Sequence, residues 1–246
     1  ERAYTVPGGK TTHVYGVDRT SAPLGGGVTV QLQDYRGGPG KTAPLGKGPV
    51  LATGGRDLAG GGLGFGVPVV RYDDGWWYPG GTTGLRPTPD GSGWQQEYDL
   101  SLREVDGPDG RFQRFEAGPS HGRVLVTYHL HVGQVDVQVR PVELAPGLRE
   151  AVVLNEESAG FQAYADGSQT EQASAIGSQR PVTGGWARLR SDADGVEFGI
   201  EAPANVQSFS AARERLPDRG IDFSGLEMGF GPGFTGADYT VTVRRS

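Results

Sequence analysis

The stretch RVLVTYHLHVGQVDVQVR, residues 123–140, decides the fold. Its first part sets Val124, Val126, Tyr128 and Leu130 against Leu125, Thr127, His129 and His131. Its second part sets Val135, Val137 and Val139 against Gln134, Asp136, Gln138 and Arg140. Alternation of period two marks a half-buried strand, because successive side chains leave a strand on opposite faces. Val132-Gly133 between the two runs predicts a tight hairpin turn. The same alternation recurs at Val28, Val30 and Leu32, at Val196, Phe198 and Ile200, and at Tyr239, Val241 and Val243. Helical periodicity is confined to Ser210 to Leu216, where Pro217 would end a short helix. Parallel sheets need crossover helices, and the chain offers none. The expected fold is all-β: a large antiparallel β-sandwich with very little helix, built as a single domain over residues 1–246.

Composition supports this and removes several functions. The chain has 43 Gly and 17 Pro among 246 residues, which suits many tight turns such as Asp106-Gly107, Asp166-Gly167 and Asp194-Gly195. Two Gly-rich stretches, near 36–66 and 71–94, are expected to be irregular loops. Cysteine is absent, so disulfides, thiolate metal ligands and thiol nucleophiles are excluded. The net charge of −6 comes without a basic patch, which argues against nucleic acid and anionic membranes as partners. No apolar run approaches the roughly 20 residues of a membrane-spanning helix. The basic residues are Arg apart from Lys10, Lys41 and Lys47, the skew of a high-GC bacterial genome. The chain opens on Glu1 and its one methionine is Met228, so a secreted protein that has lost its leader is expected. A domain cut from a longer protein is the alternative.

Candidate chemistry starts from the histidines His13, His121, His129 and His131. His129 and His131 share a strand face. A two-residue turn at Val132-Gly133 would set His131 opposite Gln134, His129 opposite Asp136 and Thr127 opposite Gln138. A carboxylate beside an imidazole fixes its tautomer and suits proton transfer near neutral pH. An ordinary solvated sheet face is the alternative. The two imidazoles could also take a transition metal with Asp136, Glu201 or His121 as third ligand, but the pattern lacks the nearby Glu that usually completes it, and no cofactor is expected. Acidic turns such as Asp192-Ala193-Asp194 carry the oxygen ligands that calcium takes, although plain turn chemistry explains them as well.

Arg71-Tyr72-Asp73-Asp74-Gly75-Trp76-Trp77-Tyr78 combines aromatic rings with charged groups. Sugars present apolar C–H faces and a rim of hydroxyls, which Trp and Tyr faces and Asp or Arg groups respectively match. Arg71, Asp73, Trp76, Trp77, Tyr78 and Arg140 are therefore the candidate substrate-binding residues. A Trp that simply fills the core is the alternative, and adjacent strand residues would put one ring in and one out. Carboxylates are numerous: Glu97, Asp99, Glu104, Glu156, Glu157, Glu197 and Glu201.

Three stretches give the second half a family resemblance. They are Val124 to Leu130 with Val135 to Val139, Gly199-Ile200-Glu201-Ala202-Pro203-Ala204-Asn205, and Gly231-Pro232-Gly233-Phe234 leading into Tyr239 to Val243. Together they resemble the galactose mutarotase-like supersandwich, an antiparallel fold of carbohydrate-active proteins. The resemblance implies that Glu201 is a carboxylate base. The expected function is a secreted carbohydrate-active protein acting on an oligosaccharide or polysaccharide. As an enzyme it would use acid–base chemistry at a sugar carbon, as a lyase, epimerase or glycoside hydrolase. His129 or His131 would move the proton with Asp136 beside them, and Arg71 or Arg140 would grip the substrate. A non-catalytic glycan-binding or assembly module using Trp76-Trp77-Tyr78 is the alternative.

Overall fold

The computed structural model describes residues 16–36, 46–54, 56–57, 63–106, 113–157, 161–216 and 221–245. Alternation along the chain becomes two antiparallel sheets. A small sheet takes β1 (Gly16–Gly25), β2 (Val28–Arg36), β3 (Val50–Thr53) and β4 (Arg56–Asp57) in that order. The large sheet begins with β5 (Gly64–Tyr72), β6 (Gly75–Pro87), β7 (Gly93–Asp106) and β8 (Gln113–Ala117). It continues with β9 (Gly122–His131), β10 (Gln134–Leu144), β11 (Glu150–Glu157), β12 (Ala163–Asp166) and β13 (Thr170–Gln172). It ends with β14 (Gln179–Pro181), β15 (Trp186–Ser191), β16 (Val196–Glu201), β17 (Ser208–Leu216), β18 (Ile221–Phe230) and β19 (Ala237–Arg245). Among the described residues the only helical element is a 3-10 turn, Ala173–Ala175.

The strand order is β13-β12-β15-β16-β19-β10-β9-β7-β6-β5-β11-β18-β17-β14, with β8 beside β7. A strongly twisted sheet of 15 strands rarely stays open without curling or packing on itself. Here it folds over. The Phe65 ring of β5 lies 6.0 Å from Tyr128 of β9 and 6.3 Å from Phe198 of β16. Tyr239 of β19 donates a 2.7 Å hydrogen bond to Asn155 Oδ1 of β11. One leaf, around β9, β10, β19 and β16, therefore faces the other, around β5, β11, β18 and β17. Val124, Val126, Tyr128, Val135, Val137 and Val139 are buried between the leaves, as their alternation requires.

The small sheet packs against the same core through Leu24, Val28, Val30, Leu32 and Leu51. Gly133 N of the β9–β10 turn donates to Leu24 O at 2.7 Å, and the Gln96 amide of β7 reaches Gln33 O.

Two sequence expectations need correction. Ser210 to Leu216 is not helical: it belongs to β17, paired with β18 from Ser208↔Gly229 to Leu216↔Ile221. Phe209 and Ala211 enter the core while Ser208 and Ser210 face away, so the period is two and tertiary burial overrides local helical character. Most of 71–94 is not an irregular loop either. It forms the β5–β6 hairpin and the start of β7, and its Gly and Pro residues sit at register shifts between Tyr78, Pro79 and Thr82. A Cβ on Gly80 would lie 2.2 Å from Ser101 Oγ, so glycine there lets the two strands approach. Within 36–66 the structure has β3 and β4, and much of the rest of that stretch lies outside the described residues, as does His13.

Candidate active site

The β9–β10 hairpin has the register read from the sequence: His131↔Gln134, His129↔Asp136 and Thr127↔Gln138. Gly133 has φ +73, which lets the two-residue turn close. The hydrogen bonds then cross the pairing. His131 Nε2 lies 3.1 Å from Asp136 Oδ2, whereas His129 Nδ1 lies 3.0 Å from Ser92 Oγ. Asp136 Oδ1 also accepts from Thr240 Oγ1 at 2.7 Å. The cluster is open to solvent, with about half of the His131 side chain exposed (52%).

Glu201 ends β16 exposed on the same wet face, with Glu197 four residues before it and Arg188 Nε 3.6 Å from Glu197. β19 separates β16 from β10, so Glu201 stands about 10 Å, two strand spacings, from Asp136. The Arg140 guanidinium is occupied by both oxygens of Asp238 at 2.5 and 2.6 Å. Asp192 pairs with Arg190, and Asp194 accepts from Ser191 Oγ, so these acids serve their own turn. Among the described residues no group of three His, Asp or Glu side chains is placed to hold a metal ion.

The aromatic stretch divides between faces. Trp77 is buried at 3% exposure. Its indole stacks on His121 at 3.6 Å, and its Nε1 donates to Asp74 Oδ1 at 3.0 Å. A Cβ on Gly118 would touch the Trp77 ring at 2.7 Å, so glycine makes room for it. Trp76 and Tyr78, one residue to either side, point to the outer face of the other leaf. There they pack beside Val69, Val152 and Leu154, with the Arg71 guanidinium 5.7 Å from the Trp76 ring. Asp73 in the β5–β6 turn is held by Arg149 at 2.7 and 3.0 Å.

That outer face carries a groove of about 280 Å³. β6 contributes Trp76 and Tyr78; β5 and β11 contribute Val69, Glu150, Val152 and Leu154. β18 contributes Glu227 and Gly229, β17 Ser208 and Ser210, and β14 Gln179. Glu227 accepts from Gln179 Nε2 at 3.0 Å, and Gln179 also donates to Ser210 Oγ at 3.1 Å. Burial pushes the Glu227 carboxyl above the usual carboxylate range, and hydrogen bonds from Gln179 and Ser210 draw it only partly back. Glu150 accepts from the Arg71 guanidinium at 3.1 Å.

The expected site residues are thus not one constellation. His129, His131, Asp136, Glu201 and Arg140 lie on the outer face of one leaf. Arg71, Trp76 and Tyr78 lie on the outer face of the other, with the packed core of roughly 10 Å between the leaves. Trp77 belongs to neither. Glu227, Glu150, Gln179 and Ser210 were not singled out in the sequence. Leu226-Glu227-Met228 did carry a signal, since an acid between two core residues must face outward. Which strands flank it is a long-range matter.

No family model matches this chain, and no curated protein does. Among solved structures the chain is similar to an Escherichia coli protein assigned as an aldose 1-epimerase. The identity is 10% and the TM-score 0.42, over 94% of this chain and 100% of that one. It is similar to a protein of Synechocystis sp. PCC 6803 at 9% identity and TM-score 0.42, over 99% of this chain and 100% of that one. Likenesses this remote concern the fold alone.

Proposed function

We propose that this is a secreted carbohydrate-active protein whose glycan site is the groove under Trp76 and Tyr78. The observation that carries the reading is the pairing of these two aromatic side chains with an apolar floor and a polar rim in one concavity. Sugar C–H faces match Val69, Val152, Leu154 and the rings; sugar hydroxyls match Gln179, Ser208, Ser210 and the carboxyl groups. Migration in native gels containing laminarin, xylan, polygalacturonate or alginate tests it. At least one polysaccharide should retard the protein, and Trp76→Ala should relieve the retardation about tenfold or more in affinity. Retardation unchanged by Trp76→Ala would move the site elsewhere.

A processing enzyme is favoured over a non-catalytic module by one feature. Glu227 is a half-buried acid of the groove whose hydrogen-bond partners are the neutral Gln179 and Ser210 and whose pKa burial raises, an environment that a purely adhesive surface does not need.

A further inference from the structure

We propose that Glu227 and Glu150 are the two carboxyl groups of a glycosidic-bond-cleaving site, with Glu227 giving its proton to the glycosidic oxygen. This rests on reading the groove as the glycan site. Both residues project from the outer faces of neighbouring strands, where β11 and β18 pair Leu154 with Glu227 and Val152 with Gly229. Glu150 Oε1 lies 3.6 Å from the position a Cβ would take on Gly229. Glu227 stands two residues earlier on the same face, a step of about 7 Å. The Glu150 carboxyl thus reaches along the face towards Glu227, across the place where residue 229 carries no side chain, and both acids line one groove. Gly229 keeps that place clear: a Cβ there would lie 2.2 Å from Ser208 Oγ.

The two environments differ in the way an acid and its partner require. Glu227 is half-buried, and burial raises its pKa against the opposing hydrogen bonds from Gln179 and Ser210, so it holds its proton to higher pH than a free carboxyl does. Glu150 is partly exposed and ion-paired with Arg71. Glu150 of β11 lines the same groove and is paired with Arg71 of β5, while β17 and β14 present Ser208, Ser210 and Gln179 to Glu227.

The chemistry balances with water as the co-reactant. The Glu227 proton passes to the glycosidic oxygen as the C1–O bond breaks, and that oxygen keeps the bonding pair. Water forms the new C1–O bond and loses a proton to Glu150. Exchange with solvent returns a proton to Glu227 and removes one from Glu150. Trp76 and Tyr78 hold the sugar faces meanwhile.

Reducing-end release and gel retardation are measured in parallel on laminarin, xylan, polygalacturonate and alginate with the full chain. We expect one of them to be both bound and cleaved. E227Q should keep retardation within about threefold and lose about two to four orders of magnitude in release. E150Q should behave alike. The wild-type rate should fall on the alkaline side as Glu227 loses its proton. Release by E227Q within tenfold of wild type overturns the inference. Retardation without release by the wild type also overturns it, and leaves the groove as a binding site. Neither retardation nor release overturns both readings. Should E227Q lose the β-sheet circular dichroism of the wild type, E150Q and the wild-type profile decide, and a rate that stays flat on the alkaline side overturns the inference.

Discussion

Asp166 closes β12, and five donors converge on its carboxylate. They are the Tyr164 hydroxyl at 2.9 Å, Ser168 N and Oγ both at 2.8 Å, Gln169 N at 3.1 Å and Thr183 N at 3.0 Å. Burial alone would raise its pKa, but the backbone and side-chain donors of Ser168 and Thr183, with Tyr164, outweigh burial and hold it down at about 2. The folded-state value lies below the 3.8 of the free group. The stabilisation is therefore complete above about pH 4 and lost as pH falls towards 2. By linkage it amounts to about 2 kcal/mol. Asp166→Asn should lower the urea midpoint at neutral pH by that equivalent. The difference from wild type should shrink between pH 4 and 2. A constant difference across that window would assign the effect to packing instead. The exposed His131–Asp136 pair is of another kind, because water competes for both partners and such pairs contribute under about 1 kcal/mol.

At the scale of elements, strands bend where glycine permits. Gly66 has φ +76 beside the register shift that separates Phe65↔Asn155 from Val67↔Leu154. The shift turns Phe65 to the core and Val67 to the outer face, and Asn155 Oδ1 accepts from Gly66 N at 3.1 Å. A Cβ at Gly66 would meet the Tyr128 hydroxyl at 3.0 Å. Gly66→Ala should therefore cost about 2 kcal/mol or more, read as a lower melting temperature, since left-handed strain and a close contact add. The β6 tryptophans separate by the same alternation. Trp77→Ala should cost about 3–5 kcal/mol, as for other buried aromatics. Trp76→Ala should cost far less, and acrylamide should quench Trp76 but not Trp77. Equal quenching of the two single-Trp-deleted proteins would contradict this division.

Across the whole molecule the folded-over sheet decides which chemistry can meet. It puts the His129, His131 and Glu201 face on one side and the Trp76, Tyr78 and Glu227 groove on the other, with a buried hydrogen-bonded pair, Tyr98 and Tyr128 at 3.0 Å, inside. Glu201→Gln should then leave both gel retardation and reducing-end release at the wild-type level. A loss of two orders of magnitude would return the chemistry to the His129 face.

Period-two alternation is a local property, and it made the all-β class, the β9–β10 register and the opposite fates of Trp76 and Trp77 legible from residues 123–140 and 71–78 alone. The limit of local reading is visible in the Ser210 to Leu216 segment. Its arginines and glutamate read as helical, while burial of Phe209 and Ala211 against β18 makes it a strand. The groove was less legible still. Its lining runs from Val69 to Gly229 over six strands, and β5, β11 and β18 become neighbours only through pairings that skip most of the chain between them. By itself, then, the sequence determined which residues face in and which face out, because that follows from backbone geometry. Only the tertiary structure decided which outward faces share a surface, because strand order is set by how the whole apolar area is buried at once.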